Sequence, residues 1–343
     1  MTGQKKTTME DVAKASGVSY STVERVLNGR GGVAREKEAR VLEWARKLKM
    51  NRQLDEVSVR WLRIAIVTQN PDAPYYVALR QGFELAQKTF ETCRVTCHLT
   101  FFTDLDPRSL TSVIQRASEK ADALIVVAYD HPRVIDAVAR ISRNIPVVTL
   151  ATDLPGTGRL AYVGIDNRCA GRIAGELMGR FLGPEGGQTI VIAGLRSYLG
   201  HEERESAFRT VLRRRFPTCE VVATVENLED ERSTERLTRD ALKKYPKLRG
   251  IYNLSVGEEG IARALRATKR EQSTVFIGHE LTDISRSLLL EGVMDAVLDQ
   301  SPFVEAVRAV EVILQHYKRG TTSGLPLQTP ISIYIQENLP PVS

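Results

Sequence analysis

From residue 62 onward the sequence alternates between short apolar runs and longer stretches with helical spacing of apolar residues, and this alternation leaves the chain few folds to choose from. Strand-like runs fall at 62–68, 94–103, 123–128, 146–150, 189–193, 221–225, 250–254, 274–277 and 295–298. Helical patterns occupy 75–90, 110–120, 133–143, 169–182, 202–215, 233–245, 258–269 and 303–318. A strand that is apolar throughout has both faces buried, and a helix between consecutive strands is the crossover that parallel pairing requires. The expected fold class is therefore α/β, with parallel sheets covered by helices on both faces.

Ahead of this region lies a stretch of a different kind. Thr8 precedes Asp11 by three residues, the pattern of an N-cap with an acidic first turn, and Gly17 can end that helix in the left-handed conformation. Ser19 follows as the cap of a second helix. Val12, Ala13, Val18, Val23, Val26 and Leu27 share one apolar face, while Tyr20, Ser21 and Arg25 fall on the opposite side. After a turn at 28–32, Val41, Leu42, Ala45 and Leu48 mark a third helix over 34–48. This reads as a helix-turn-helix.

The charge supports that reading. Of the 48 Lys and Arg and 42 Asp and Glu, residues 1–60 hold 13 and 8, which leaves 35 against 34 for the rest. The basic excess is thus N-terminal, the electrostatic footprint of a phosphate-backbone binder.

The stretch closely resembles the DNA-binding headpiece of the LacI family of bacterial repressors. Asp11-Val-Ala, Ala15-Ser-Gly-Val-Ser, Thr22-Val and Arg25-Val-Leu-Asn28 carry the match. The resemblance implies a DNA-contacting set of Thr8, Ser19, Tyr20, Ser21, Thr22, Arg25 and Asn28, with Tyr20, Ser21 and Arg25 in the base-reading positions. Arg25 suits a bidentate contact to guanine. Glu24 replaces the usual small polar residue and is expected to pair with an Arg or face water. Residues 51–61 stand where the family carries a hinge, but 51–60 is shorter than the family pattern and lacks its Pro-Asn opening and Ala-Arg core. Insertion into the minor groove is therefore open to question.

Behind the headpiece, two consecutive sets of βα units look like the two lobes of a periplasmic sugar-binding protein, the core that LacI repressors carry. The implied organisation is a small all-α headpiece at 1–50, a linker at 51–61 and a two-lobed periplasmic-binding-protein-like core at 62–343. Residues 162–174 resemble the first crossing between lobes, and a second is expected near Asp299-Gln-Ser-Pro302. Residues 62–163 and about 300–322 would form one lobe.

Open parallel sheets bind ligands beyond the carboxyl ends of their strands. Those ends deliver Asn70, Asp72, Tyr75 and Tyr76, then Asp130, Arg204, Asn253, Glu280 and Gln300 as effector-binding candidates. Such carboxylates, amides and an Arg around aromatic rings suit a polyhydroxylated ligand. Arg204 stands where the family places its effector-contacting arginine, Gly278-His-Glu280 replaces the family's glycine, aromatic, aspartate run, and Gln300 matches the sugar-binding proteins' glutamine. Asp153, beside Pro155-Gly156, is expected to build a turn, and Ser255 is a weaker candidate.

Other classes are disfavoured. The start carries charge with no apolar run behind it, so a signal peptide is not expected, nor is a membrane span, and the cytoplasm is the expected location. Cys93, Cys97, Cys169 and Cys219 show no CxxC pair and are expected to be reduced; Cys97 and His98 are strand neighbours that point to opposite faces, against a metal site. His201-Glu-Glu-Arg lacks the second histidine of a zinc-protease helix, and no GxGxxG, GxxxxGK[ST] or GxSxG has a plausible context. Neither cofactor nor catalysis is expected. The expected role is a sequence-specific, homodimeric DNA-binding regulator of carbohydrate use, most simply a repressor, that binds double-stranded operator DNA and is switched by a sugar-like molecule. The alternatives are a sugar-binding protein with no regulatory role and an α/β enzyme.

Overall fold

The computed structural model describes residues 7–27, 33–48, 50, 60–69, 72–195, 197–319 and 326–341. Two compact units emerge, residues 1–62 with 94–96 and residues 63–93 with 97–343. Residues 51–59 of the expected hinge, together with Asn28 and Asn70, lie outside the described residues.

In the first unit, α1 spans Met9–Ser16, α2 spans Tyr20–Leu27 and α3 spans Arg35–Lys47. Thr8 and Asp11 form a reciprocal capping box: the Asp11 N–H donates to Thr8 Oγ1 at 3.3 Å and the Thr8 N–H to the Asp11 carboxylate at 2.8 Å. Two of the orphan donors at the start of α1 are thereby satisfied. Gly17 ends α1 at φ +65°, a left-handed turn in which any other residue would be strained. The carbonyl of Ser19 accepts the N–H groups of Thr22 and Val23, while its hydroxyl meets those of Thr22 at 2.8 Å and Ser21 at 3.2 Å. Val12, Val23, Val26 and Leu27 pack with Val41 and Ala45 of α3 in one small core.

Beyond the headpiece helices, β1 (Leu62–Gln69), β2 (Val95–Phe102), β3 (Ala123–Val126), β4 (Val147–Leu150) and β5 (Ala161–Val163) form a sheet of order β2-β1-β3-β4-β5, which apart from Leu62, Val95 and Thr96 belongs to the second unit. A second sheet joins β6 (Gly187–Ala193), β7 (Cys219–Glu226), β8 (Leu248–Asn253), β9 (Val275–His279), β10 (Ala296–Asp299) and β11 (Ser332–Tyr334) in the order β11-β10-β9-β8-β6-β7. Without β11, the second sheet repeats the strand order of the first, so each lobe has its own switch point, between β1 and β3 and between β6 and β8. Pairing is parallel from β1 through β3 and β4 to β5 and from β7 through β6, β8 and β9 to β10. The edge strand β11 runs antiparallel to β10.

Helices α4 (Pro74–Thr89), α5 (Pro107–Ser118) and α6 (Pro132–Ser142) belong to the first lobe. The second lobe holds α7 (Asn167–Leu182), α8 (Leu199–Arg215), α9 (Glu231–Lys244), α10 (Glu258–Ala267) and α11 (Asp283–Leu290). After β10 the chain crosses back, and α12 (Pro302–His316) packs on α4, where Gly82 leaves room for the Phe303 carbonyl and Ala306. Tyr317 then donates its hydroxyl to the Asp122 carbonyl at 2.6 Å, tying the end of α12 to the first sheet. A third crossing precedes β11, with the Thr329 N–H donating to the Gly164 carbonyl at 3.0 Å.

Each apolar run expected to be a strand is one, and β3 and β4 are buried at every position. Of the strands and helices named above, three lie outside the expected runs: the three-residue β5, which is too short to show a period, β11 and α11. In β11 no residue is fully buried, and the eight-residue α11 buries only Ser285, Leu288 and Leu289. None of the three shows enough period to be read from local pattern.

One close approach positions the cleft. On α7, Gly171, Gly175 and Gly179 recur every fourth residue and face α8: a Cβ at Gly171 would overlap the Arg204 carbonyl, and one at Gly179 the Phe216 ring. The backbone of α8 therefore lies directly on α7, with Arg204 at the crossing out of the first lobe.

Candidate functional site

Between the lobes, at the carboxyl ends of both sheets, lies a cavity of about 100 Å³. Tyr75 and Tyr76 reach it from α4, Thr152 from the end of β4, and Tyr198, His201 and Arg204 from the start of α8. The second lobe adds Glu229, Glu258, His279, Glu280 and Gln300.

Arg204 is 4% exposed. Its Nε donates to Asn167 Oδ1 at 2.7 Å and its Nη2 to Gln300 Oε1 at 2.6 Å. The Gln300 amide nitrogen donates in turn to Glu280 Oε1. The other Glu280 oxygen, Oε2, is buried without a hydrogen-bond partner. Burial pushes the Glu280 carboxyl well above the usual range, and the nearby Asp299 charge adds to the shift.

Behind the Tyr rings, Tyr75 donates its hydroxyl to Glu305 Oε2 at 2.8 Å. Glu305 is fully buried, and that burial pushes its carboxyl up to about 8 against the opposing effect of the Tyr75 bond. Burial likewise pushes Glu258 up to about 8 and raises Glu229, which Ser255 partly offsets. Burial, reinforced by the Arg204 charge, holds His201 down at about 3 and His279 well below its usual value. Both imidazoles are therefore neutral at physiological pH, and burial favours the protonated form of the carboxyls, so Arg204 is the standing charge that faces the cavity while the acids stay ready to ionise beside a counter-charge.

Of the expected effector set, Tyr75, Tyr76, Arg204, Glu280 and Gln300 line this one cavity. Three others do not. Asp72 is exposed, and Asp130 is exposed as well, carried beyond the end of β3 by the buried Ala128 and Tyr129. The Asp130 N–H donates to the Ser197 carbonyl at 2.7 Å. Asn253 is buried behind the lining, where its amide donates to the Ser255 carbonyl at 2.5 Å and to Glu258 Oε1 at 3.2 Å, shaping the turn that presents Glu258. Asn70 lies outside the described residues. Asp153 accepts from Arg159, from the Thr149 hydroxyl at 2.8 Å and from the Leu154 N–H at 2.8 Å, so it closes a turn.

Counting residues after strand ends missed Tyr198, His201, Glu229, Glu258 and His279. A backbone signal accompanies the site. Ala151 (φ +62°), Glu229 (φ +60°), Glu280 (φ +65°) and Ser301 (φ +58°) adopt the left-handed region in or beside the lining. Each costs about 1–3 kcal/mol and persists only where surrounding structure imposes it, as at binding sites. No sequence pattern announces such residues.

In the first unit, Thr8, Ser19, Ser21 and Arg25 are exposed, Tyr20 is 49% exposed, and Thr22 is half-buried. Tyr20, Ser21 and Arg25 thus stand on the face of α2 opposite Val23, Val26 and Leu27, free to meet a partner. Among the described residues no cluster of His, Cys, Asp and Glu could hold a metal ion, and no helix is long and apolar enough to cross a membrane.

Comparison with known proteins bears on both units. Residues 8–51 match the model described as bacterial regulatory proteins, lacI family, and residues 64–321 match the periplasmic binding protein domain. The chain is 28% identical over 160 residues to the HTH-type transcriptional regulator DegA of Bacillus subtilis, a match spanning 44% of this chain and 45% of that protein. It is 27% identical over 253 residues to the ribose operon repressor of Halalkalibacterium halodurans, covering 72% of this chain and 71% of the repressor. In three dimensions it resembles GanP, a glucose-galactose binding protein from Geobacillus stearothermophilus, with a TM-score of 0.75 and 23% identity over 82% of this chain and 100% of GanP. That last likeness concerns the fold.

Proposed function

The chain belongs to the LacI family of bacterial regulatory proteins, and from that premise we propose a homodimeric cytoplasmic regulator, most simply a repressor of carbohydrate use. It binds operator DNA through α2 and is switched by a sugar-like molecule in the interlobe cavity. The observation that carries this reading is the union in one chain of an exposed Tyr20, Ser21 and Arg25 face with an interlobe cavity into which Arg204, Gln300, carboxyls and tyrosines project. Base edges in the major groove are read by such side chains at the start of a recognition helix. Pairing two headpieces on a near-palindrome raises affinity that one half-site cannot reach. The cavity offers an arginine, an amide, carboxyls and tyrosine rings, which serve hydroxyls that both donate and accept. Similarity to a ribose operon repressor supports the carbohydrate class. The role is binding rather than catalysis.

An effector shifts the two states of such a regulator only through its differential affinity for them. The test joins two measurements on the full chain: a thermal-shift screen against pentoses, hexoses, polyols and their phosphates, and a mobility-shift assay on DNA recovered by in vitro selection. One class of carbohydrate should raise the melting temperature and change the affinity for selected DNA. Selection that enriches no sequence would refute the regulator. Stabilisation by no member of the screen would refute the sugar-like effector.

A further inference from the structure

The cavity carries more acid than a neutral sugar calls for. Glu229, Glu258 and Glu280 line it from three separate segments, the loop after β7, the start of α10 and the end of β9. Glu305, with Tyr75 between, stands just behind them. Among the described lining residues Arg204 is the one permanent cation, and two of its donors already serve the neutral amides of Asn167 and Gln300. The acids are also placed deliberately. Glu229 and Glu280 hold left-handed backbone, and the Glu229 carboxylate occupies the space that a Cβ on Gly194 would fill. Glu280 Oε2 is buried with no hydrogen-bond partner. Such an oxygen in a cavity wall points to a ligand atom that completes it.

A hydroxyl could supply one donor to Oε2 but would give these buried acids no counter-charge against which to ionise. An ammonium supplies up to three donors and a charge of the required sign, and charge-assisted hydrogen bonds are about twice as strong as neutral ones. Resting on the sugar-like reading above, we propose that the effector is an amino sugar or a closely related polyhydroxylated amine. Its ammonium sits among Glu280, Glu229 and Glu258, and its hydroxyls face Arg204, Tyr75 and Tyr76. The elevated carboxyl pKa values agree with this, because an acid cluster closed off without its counter-charge holds protons that a bound cation displaces.

The experiment is calorimetric titration of the full chain at pH 7 with glucosamine, galactosamine and mannosamine, each beside its neutral parent hexose and its N-acetyl form. The expected result is at least a tenfold tighter Kd for one amino sugar than for both of its neutral counterparts. Glu280→Gln, which keeps an acceptor for Gln300, should reduce that advantage to less than threefold, and Glu229→Gln should act in the same direction; melting temperatures report whether each variant folds. If the neutral hexoses or other carbohydrates of the wider screen bind and no amino sugar outbinds its parent, the ammonium is refuted while the sugar-like reading stands. If no carbohydrate of either kind binds, both fail. An amino-sugar preference undiminished in Glu280→Gln and Glu229→Gln would refute the assignment of these carboxyls.

Discussion

Glu305→Gln isolates the energetic cost of keeping an acid behind the cleft. The Glu305 carboxyl is fully buried, accepts the Tyr75 hydroxyl at 2.8 Å and the Thr329 hydroxyl at 3.5 Å, and is pushed by burial to about 8. An acid whose pKa rises on folding binds more protons in the folded than in the unfolded state between the two values. Its presence therefore lowers stability as pH climbs through that window, by roughly 1.4 kcal/mol per pH unit. From the usual value of 4.5 to about 8 the accumulated cost approaches about 4–5 kcal/mol, and partial relaxation brings a realistic figure to about 2–4 kcal/mol. Glutamine keeps an oxygen for Tyr75 and does not ionise. Glu258 shifts in the same direction, but both proteins contain it and Glu305 does not act on it, so it cancels in the difference; Glu280, which the Glu305 charge helps to raise, is eased slightly in the Gln variant and adds to the same trend. Urea unfolding at pH 5, 6, 7, 8 and 8.5 should give nearly equal stabilities at pH 5 and a Gln variant progressively more stable above it. Curves that stay parallel from pH 5 to 8.5 would show that Glu305 is not held protonated, and the argument from burial would fail.

Arg25→Ala should weaken operator binding by about 1–3 kcal/mol while sparing random DNA, as loss of a base contact does; equal losses by mobility shift would refute base reading. Arg204→Ala removes a charged donor whose bonds contribute about 1.5–3 kcal/mol, so effector Kd by calorimetry should rise about 10- to 100-fold with operator affinity nearly unchanged. An unchanged effector Kd would make Arg204 purely structural. Gly171→Ala places a methyl against the Arg204 carbonyl and should destabilise the core by about 1–3 kcal/mol or more in urea titration, because backbone cannot yield as a flexible side chain can; a wild-type midpoint would count against the close helix approach.

How far the sequence alone reached follows from what is encoded locally. Short apolar runs such as 123–126, recurring between helical patterns, read as interior strands, so the parallel sheets were legible without any contact information. The capping box of Thr8 and Asp11 and the left-handed Gly17 occupy a few consecutive residues, which is why the headpiece helices were legible too. Tyr75, Tyr76, Arg204, Glu280 and Gln300 were reached by counting past the strand ends, and a family resemblance added weight to Arg204 and Gln300. Tertiary structure decided the rest. Glu229, Glu258 and His279 enter the cavity because loops far apart in the chain converge where the two lobes face each other, and Asp72 and Asp130 are excluded by turns that carry them outward. The edge strand β11 exists only because β10 offers it unpaired backbone. Periodicity reports which face of an element is buried, since that is a property of neighbouring residues. It does not report what that face is buried against, and the charge of this cavity is set by the latter.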